Sequence, residues 1–459
     1  MRRRSGMNNT RVPVAMMAVA LRAVALSGVI ALAQTGAQRT AGWLGAGLRV
    51  DGVAQAQSAQ SKDNARRTPA LRSDVYDKLS EAQQLAEAGK AREALAVLNA
   101  LRDSQGRRRL NSYELANLHN FYAFVYFQQE QYGRAIQAYQ QVLAQPDLPQ
   151  ALEESTHYAL AQLYFAQEDY DKAIGELQQW FKLVQNPQPD AYILLAQAYY
   201  QNKQYDQALR HVEQGMRLAA QGGKPPKENW YLLMRALYYD KGDLKKVAWV
   251  LEELLRRWPK KEYLVQLSGM YGELRNERAQ VAAMESAYVM GWLQQEQELL
   301  NMAYLFLATD TPYKAAKVLE QGLDSKSIKS SSKNYELLGT ALRAAQERQR
   351  AIPAMRRAAE LAGDGEPWAR LASVYLDLDD YAKAAEAAQA ALQRGGLKWP
   401  EDSRLVLGMA LFHLDQLDAA RRQFELAAKS SRSSKSAGDW LKYLDAEVER
   451  RKSLRDALG

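Results

Sequence analysis

The feature that most constrains the fold of this chain is a residue spacing that returns every 33 to 41 positions. In its clearest copy, Trp368, Leu371, Ala372 and Tyr375 share one face of a first helix, and Ala384 follows on a second helix. Helical apolar spacing is nearly continuous after the first 70 residues, and no strand-like alternation interrupts it. The residue equivalent to Ala384 recurs in the same frame at positions 94, 135, 173, 208, 247, 280, 315, 351, 384 and 420.

Small residues at these positions let two antiparallel helices approach closely, and no single pair can bury its apolar face, so neighbouring pairs must stack. The pattern W-x2-L-A-x2-Y, with a small residue nine positions on, resembles the tetratricopeptide repeat. Two copies, around Tyr238 and Tyr271, are degenerate and keep only the tyrosine. The resemblance implies an all-α fold: a tetratricopeptide-repeat superhelical solenoid of about ten helix pairs with a C-terminal capping helix.

The array has one clear internal break, the loop over 221–227 (QGGKPPK), and we expect a hinge there. The last helix carries Trp440, Leu444 and Val448 on one face and charged residues on the other, as a polar cap requires. The predicted organisation is a leader over 1–56, a flexible linker over 57–72, a first sub-array over 73–220 (repeats 1–4), a second sub-array over 228–436 (repeats 5–10) and a capping helix over 437–459.

The net charge of +8 is concentrated at the N-terminus, since residues 1–56 hold seven basic side chains and one acidic side chain. That segment is +6 and the remainder only +2, so we expect no nucleic-acid partner. A basic start at Arg2–Arg4, an apolar run over Ala23–Ala33 and A-x-A sites are typical of a signal peptide. The alternative is an uncleaved membrane anchor, because residues 12–33 are just long enough to span a bilayer if Arg22 is tolerated.

The chain contains no cysteine, which excludes disulfides, thiolate nucleophiles, cysteine-based zinc sites and a lipid-bearing cysteine. An exported protein of this kind must be stabilised by packing alone. We therefore predict a periplasmic location in a bacterium, or, if the leader is not cleaved, an inner-membrane anchor that displays the array in the periplasm.

No motif predicts catalysis, a cofactor or a metal site. The four histidines, His119, His157, His211 and His413, fall in different repeats, and P-loop, G-x-G-x-x-G and G-x-S-x-G motifs are absent. The acidic run Asp377–Asp380 (DLDD) lies between two helices and lacks the later ligands of a calcium loop. Because aspartate at a helix start accepts otherwise unpaired backbone N–H groups, we interpret this run as a turn rather than as a metal site.

What remains is a binding surface. In tetratricopeptide arrays the first helix of each pair lines the concave face, mainly at positions two, five, nine and twelve of the repeat, and this resemblance places an aromatic and amide groove in repeats two to five. Such a groove suits an extended peptide or an amphipathic helix, although several of its aromatic side chains could simply pack against the next repeat. The lysine–asparagine clamp of chaperone-binding relatives is not evident. The candidate peptide-binding residues are Asn120, Phe124, Phe127, Tyr158, Gln162, Phe165, Ile193, Gln197, Tyr200 and Tyr239.

A closer resemblance comes from the exported leader, the stretch Gly242–Tyr271 (GDLKKVAWVLEELLRRWPKKEYLVQLSGMY) and the terminal Asp439–Leu444 (DWLKYL). These features resemble the tetratricopeptide proteins associated with TonB energy-transduction systems of Gram-negative bacteria. The resemblance implies a non-enzymatic periplasmic scaffold that binds TonB-system or envelope proteins during outer-membrane nutrient uptake. The alternative is an accessory of polysaccharide secretion or cell-wall synthesis, where exported arrays of this kind also serve.

Overall fold

The computed structural model describes residues 69–458, so the predicted leader and most of the linker lie outside the described residues. Within that range the regular structure is 21 α-helices and one short 3-10 turn, without a strand, which confirms the all-α prediction. The helices are α1 (Ser73–Glu87), α2 (Ala91–Arg102), α3 (Ser112–Gln128), α4 (Tyr132–Leu143), α5 (Gln150–Ala166), α6 (Tyr170–Leu183), α7 (Pro189–Gln201), α8 (Tyr205–Gln221), α9 (Glu228–Asp240), α10 (Leu244–Arg257), α11 (Lys261–Glu273), α12 (Glu277–Val289), α13 (Glu296–Ala308), α14 (Pro312–Asp324), α15 (Ser332–Ala344), α16 (Arg348–Leu361), α17 (Glu366–Asp377), α18 (Tyr381–Arg394), α19 (Pro400–His413), α20 (Leu417–Ala428) and α21 (Ser434–Leu458).

The helices form ten consecutive pairs within the described range, and the chain divides into two compact units between Pro259 and Lys260. Unit 1 contains five pairs, α1–α10, and unit 2 contains the other five, α11–α20, followed by α21. Within each unit a helix packs mainly against its neighbours along the chain, and some neighbouring first helices also touch. This is the packing of a solenoid. The hinge at 221–227 stays a prediction; that loop lies within unit 1.

The small residues that define the repeat lie where the two helices of a pair cross. Eight of the ten second-helix positions are alanines with no exposed surface, and Val247 at a ninth is 2% exposed. At Gly408 a Cβ atom would lie 2.5 Å from Cε1 of Phe424, so the crossing there leaves no room for a side chain. The degenerate sixth pair replaces the small residue with Gln280, whose backbone carbonyl accepts a hydrogen bond from Ser268 Oγ at 3.0 Å. The small residues therefore recur with the repeat because the two helices of each pair cross at a distance that leaves no room for larger side chains.

The turn inside each pair has one conformation in all ten pairs. The residue two positions before the second helix has positive φ each time, and it is glycine in only two pairs. Every L-residue in this left-handed region carries a steric penalty of roughly 1–2 kcal/mol. These turn residues, in chain order, are Gly89, Glu130, Glu168, Lys203, Gly242, Arg275, Asp310, Gln346, Asp379 and Asp415.

Replacing an exposed turn residue with glycine should therefore stabilise the array. We expect Gln346→Gly, at φ 64°, to raise the free energy of unfolding by about 1 kcal/mol. The opposite change, Gly242→Ala at φ +72°, should lower the free energy of unfolding by a similar amount, although a Cβ there meets nothing within 4 Å. Urea denaturation followed by circular dichroism measures both. Equal midpoints for the two variants would show that the turn conformation carries no cost.

The acidic run over Asp377–Asp380 is one of these turns. Asp379 is its left-handed residue, and the Asp380 side chain caps α18 by accepting a hydrogen bond from the backbone N–H of Lys383 at 3.3 Å. Lys383 Nζ also lies 2.5 Å from Asp380 Oδ2 and 5.7 Å from the ring centre of Tyr375 on α17. The same arrangement of cap aspartate, lysine and first-helix tyrosine occurs in the third and fifth pairs. The cap aspartates thus accept a hydrogen bond from an otherwise unpaired backbone N–H at the start of the second helix.

The first-helix tyrosines connect successive pairs. In five cases the phenol oxygen makes a hydrogen bond to a polar side chain on the second helix of the preceding pair, the first being that of Tyr122 to Asn99 Oδ1 at 2.6 Å. Gln140 Nε2 donates to Tyr164 at 3.0 Å, and Gln178 Nε2 donates to Tyr199 at 2.9 Å. Tyr238 donates to Glu213, and Arg356 donates to Tyr375. These bonds fix the register between neighbours that apolar packing alone would leave less specific.

The start of the last helix, α21, packs onto unit 2 as predicted, but a later residue of its apolar face is partly exposed. Leu444 is fully buried, and the Trp440 ring stacks on Phe424 at 5.5 Å between centroids. Val448, expected on the same apolar face, is 37% exposed. Among the described residues no helix combines the length and the apolar character needed to cross a membrane.

Candidate protein-binding face

The predicted groove residues lie on the first helices of unit 1, at positions separated by four and then three residues, which share one helix side. We call the side formed by repeat positions two, five, nine and twelve of α1, α3, α5, α7 and α9 the first-helix face. Two of the ten predicted residues do not belong to its accessible part. Phe124 is 3% exposed and Ile193 is 4% exposed, and Ile193 packs directly beside Gly215. Both side chains are enclosed in the core, so they lie outside the accessible part of the face, and a binding role for them stays a prediction.

The other eight predicted residues are half-buried, so each keeps part of its side chain accessible: Asn120, Phe127, Tyr158, Gln162, Phe165, Gln197, Tyr200 and Tyr239. Tyr158 is the most enclosed of the aromatic ones, since its ring lies 5.3 Å from that of Trp180, and burial, reinforced by Asp190, raises its pKa to about 12. These side chains come from four successive helix pairs. The accessible residues considered below fall into two chemical classes, aromatic rings and amides, which make different contacts in the fold.

The first class consists of aromatic pairs that repeat with the array. Phe127 packs on Tyr132 at 5.9 Å, and Phe165 packs on Tyr170 at 5.4 Å between ring centroids. Tyr200 repeats this arrangement, with its ring centroid 5.8 Å from that of Tyr205, the first residue of α8. Each pair joins the last turn of a first helix to the first residue of the second helix. The result is a series of three half-exposed aromatic pairs, one per helix pair.

Sequence reasoning missed the second ring of each pair. Tyr132, Tyr170 and Tyr205 all open a second helix, exactly five residues after the predicted aromatic residue. The signal was present as an aromatic residue directly after the polar turn, in QEQY, QEDY and NKQY. The first-helix repeat positions do not include the residue after the turn, although the turn brings both rings together.

The second class consists of amides. Asn120, Gln162 and Gln197 stand on three successive first helices, and their side chains make no hydrogen bond within residues 69–458. A carboxamide offers two N–H donors and a carbonyl acceptor, and an extended peptide backbone offers one carbonyl acceptor and one N–H donor per non-proline residue to pair with them. Half-buried amides without a partner in the fold are suited to pair with a bound chain.

The charge of the first-helix face separates unit 1 from unit 2. In unit 1 its twenty positions include seven aromatic residues, no lysine or arginine, and one acid, Asp190, whose carboxylate contacts Lys227 Nζ at 2.6 Å. The equivalent positions of unit 2 include two aromatic residues, Tyr304 and Phe412, and six charged ones. The aromatic and amide surface is thus a property of unit 1 and does not follow from the repeat itself.

Carboxylates lie beside two of the aromatic pairs. Burial raises the pKa of Tyr200, and a hydrogen bond with Asp240 raises it further. Burial also raises the pKa of Tyr170, with a smaller contribution from Glu168. Across the described residues, no three His, Asp or Glu side chains come together in a way that could hold a metal ion.

Comparison with known protein families identifies two parts of the chain. Residues 369–437 match the tetratricopeptide repeat family, and residues 142–215 match the family described as anaphase-promoting complex, cyclosome, subunit 3. No curated protein matches the chain.

Several solved structures are similar in part. A tetratricopeptide repeat protein from Parabacteroides merdae is 16% identical over 66% of this chain and 100% of its own, with a TM-score of 0.33. The TPR2AB domain of yeast Sti1, in a complex with pHSP90, is 17% identical over 56% of this chain and 98% of its own, with a TM-score of 0.32. The fold assignment rests on the helix pairs described above and does not depend on these likenesses.

Proposed function

We propose that this tetratricopeptide array is a non-enzymatic scaffold that binds a partner protein on the first-helix face of unit 1. Tetratricopeptide repeats generally mediate protein–protein interaction, and a stack of helix pairs presents a long surface for it. The observation that carries the proposal is the set of half-buried aromatic rings and unpaired amides on the first-helix face of unit 1. Aromatic side chains are enriched in the cores of protein interfaces, and tyrosine is among the residues that most often contribute a large share of the binding energy.

We propose further that the scaffold acts in the periplasm, as an accessory of a TonB-type energy-transduction system for outer-membrane nutrient uptake. Support for export comes from the basic start and apolar run of residues 1–33. Support for the TonB association comes from the resemblance carried by Gly242–Tyr271 and Asp439–Leu444. The second of these stretches lies within α21, the helix that closes unit 2.

The proposal is tested by co-purification with identified partners. The variant Asn120→Arg/Gln162→Arg/Gln197→Arg adds three bulky cations to the first-helix face without removing a hydrogen bond or a core contact. We expect the wild-type chain, cross-linked in cell envelopes, to co-purify with a TonB-type protein or its motor proteins, and the triple variant to lose at least about nine-tenths of that yield. Mass spectrometry identifies and quantifies the partners.

A matched control is Thr340→Arg, which places the same cation at repeat position nine of unit 2. It should leave the yield unchanged. If the triple variant captures its partners at the wild-type yield, the first-helix face is not the binding site. Capture of glycosyltransferases or cell-wall synthases in place of TonB-system proteins would contradict the TonB association and favour the role in polysaccharide secretion or cell-wall synthesis.

A further inference from the structure

We propose that one edge of unit 2 binds the surface of an anionic lipid membrane. This edge consists of the five segments that follow the second helices of unit 2, together with Val289 and Leu361, the last residues of α12 and α16. We call it the connecting edge, and it does not include the first-helix face of unit 1. The five segments are residues 290–295, 325–331, 362–365, 395–399 and 429–433.

Hydrogen bonds join the connecting edge along its length. Each bond links one of the segments, or the helix residues directly beside it, to the next part of the edge, so the segments form one continuous surface. The bonds, in chain order, are Lys329 N–H to Glu296 Oε1 at 3.2 Å, Ser332 Oγ to the Ala358 carbonyl at 2.9 Å, Gly365 N–H to the Gly395 carbonyl at 2.8 Å, Lys398 N–H to Glu366 Oε1 at 2.6 Å and Ser430 Oγ to Glu401 Oε1 at 2.9 Å.

The connecting edge is positively charged, and the opposite edge of unit 2 is negatively charged. Because neighbouring helices are antiparallel, the turns inside the pairs lie at the other end of the helices from the connecting segments. The five segments hold five cations and one acid, Asp364, whereas the five turns of unit 2 hold one cation, Arg275, and five acids. An anionic membrane surface attracts the connecting edge and repels the opposite one. The five cations are Lys326, Lys329, Lys398, Lys429 and Arg432.

Three of these cations are available to an anionic ligand. Lys326, Lys398 and Lys429 form no ion pair within residues 69–458. The other two have carboxylates nearby: Lys329 Nζ lies 3.8 Å from Glu296, and Arg432 Nη2 lies 3.1 Å from Asp402. The positive charge of the edge is therefore only partly neutralised inside the fold.

The connecting edge also exposes large apolar side chains. Val289 is 78% exposed and Met290 is 57% exposed beside the first segment, and Trp399 is 43% exposed in the fourth. The Trp399 ring is flanked by cations, since Arg432 Cζ lies 4.3 Å and Lys398 Nζ lies 5.5 Å from its centre. In unit 1 no described segment that follows a second helix carries an exposed large apolar side chain. The combination of apolar and cationic side chains is thus a property of unit 2.

A bilayer surface suits this edge better than a folded acidic partner does. Protein interfaces bury a well-packed apolar centre with a polar rim, whereas Val289, Met290 and Trp399 project separately among polar residues. In the interfacial region of a bilayer, apolar side chains insert one by one between headgroups, and tryptophan is enriched there. Lysine and arginine beside them attract anionic headgroups. The partner that fits both properties is an anionic lipid membrane.

The experiment uses the full-length chain, which contains no cysteine, so a single introduced cysteine carries the polarity-sensitive fluorophore NBD at one known place. Met290→Cys labels the connecting edge, and Gln346→Cys labels an exposed turn at the opposite edge as the matched control. Vesicles of phosphatidylethanolamine and phosphatidylglycerol supply the anionic surface, and vesicles of phosphatidylcholine supply the neutral one. We expect NBD emission at position 290 to rise at least about threefold on the anionic vesicles only, and the rise to shrink as salt is added.

Emission at position 346 should stay unchanged on both kinds of vesicle. Each label reports its own surroundings, so insertion of the N-terminal leader into vesicles does not reproduce a difference between the two positions. No rise at position 290, an equal rise on neutral vesicles or an equal rise at position 346 would overturn the proposal. A rise with poly-glutamate but not with vesicles would overturn it as well, because the edge would then bind an acidic chain.

Variants of the Met290→Cys chain separate the two contributions. Val289→Ser should raise the lipid concentration at half-maximal emission about threefold, because an apolar side chain no longer inserts. The variant Lys326→Glu/Lys398→Glu/Lys429→Glu should abolish the emission rise on anionic vesicles. Its control, Arg92→Glu/Lys203→Glu/Arg217→Glu, makes the same change in net charge within unit 1 and should leave the rise intact. Equal loss in both charge variants would show that net charge, not the connecting edge, governs binding.

Discussion

We expect Phe424→Ala to detach the closing helix α21 from unit 2. Phe424 has no exposed surface, and it is held between Gly408 of α19 and the stacked ring of Trp440 on α21. Removing a fully buried phenylalanine costs about 3–5 kcal/mol, because the transfer free energy of the ring is lost and a cavity remains. In a repeat array such a loss falls mainly on the local helix pair and its neighbour.

Native-state hydrogen exchange checks this prediction. Amide protection should fall in α19, α20 and α21 of the variant, while protection in α13 should stay at the wild-type value. Leu426→Ala is a suitable control, because Leu426 lies on the same helix and is 39% exposed. If α21 keeps its protection in Phe424→Ala, then Leu444 and the salt links of the helix, not the aromatic stack, hold it in place.

The second large effect is expected at Glu114, whose side chain is 1% exposed. Its carboxylate accepts hydrogen bonds from Arg72 Nε at 2.8 Å and Nη2 at 3.0 Å, and from the backbone N–H of Asn111 at 3.0 Å. Asn111 in turn caps α3 by accepting a hydrogen bond from the Glu114 backbone N–H. Glu114→Ala removes all the carboxylate bonds, and we expect it to lower the free energy of unfolding by about 2–3 kcal/mol.

The loss should depend on pH in a defined direction. Burial opposes ionisation of Glu114, but the hydrogen bonds from Arg72 and from two backbone N–H groups outweigh it, so its pKa lies below the usual range. A depressed pKa in the folded state means that the ionised carboxylate stabilises the fold at any pH above about 4.3, the unfolded value. This contribution is lost as the pH falls through the folded value.

Urea denaturation of wild-type and Glu114→Ala chains at several pH values measures the difference. The gap between them should be full at pH 7 and should narrow below about pH 4. Glu81→Ala is the control, because Glu81 pairs with Lys78 at 2.7 Å on an exposed helix surface. That variant should show no measurable change at any pH. A gap that stays constant down to pH 3 would show that packing, not ionisation, accounts for the role of Glu114.

The repeat frame made most of the fold predictable from sequence. Buried alanines such as Ala135, Ala384 and Ala420 are visible as a period, because the distance between crossing helices admits only small residues. The interaction between Arg72 and Glu114 was not predictable, because it joins residues 42 positions apart outside the repeat pattern. The division between Pro259 and Lys260 was not predictable either, because no glycine or serine cluster marks it in the sequence.

The candidate face was predictable only in outline. Repeat positions identify which side chains share a helix side, and they selected Asn120, Gln162 and Gln197, which lie half-buried on three successive first helices. Position alone cannot tell whether a side chain is already enclosed by its neighbours. Phe124 and Ile193 occupy positions equivalent to accessible ones, yet both are core residues, because burial depends on the size of the side chains on the adjoining helices.

The packing of each helix against its chain neighbours has a consequence for the order in which the protein folds. Contacts between residues close in sequence require little loop closure, so chains with this topology fold quickly, and each helix pair can form as soon as its successor is available. Folding can start anywhere in such an array and spread from pair to pair. Because synthesis proceeds from the N-terminus, unit 1 can fold before the last helices of unit 2 have been made.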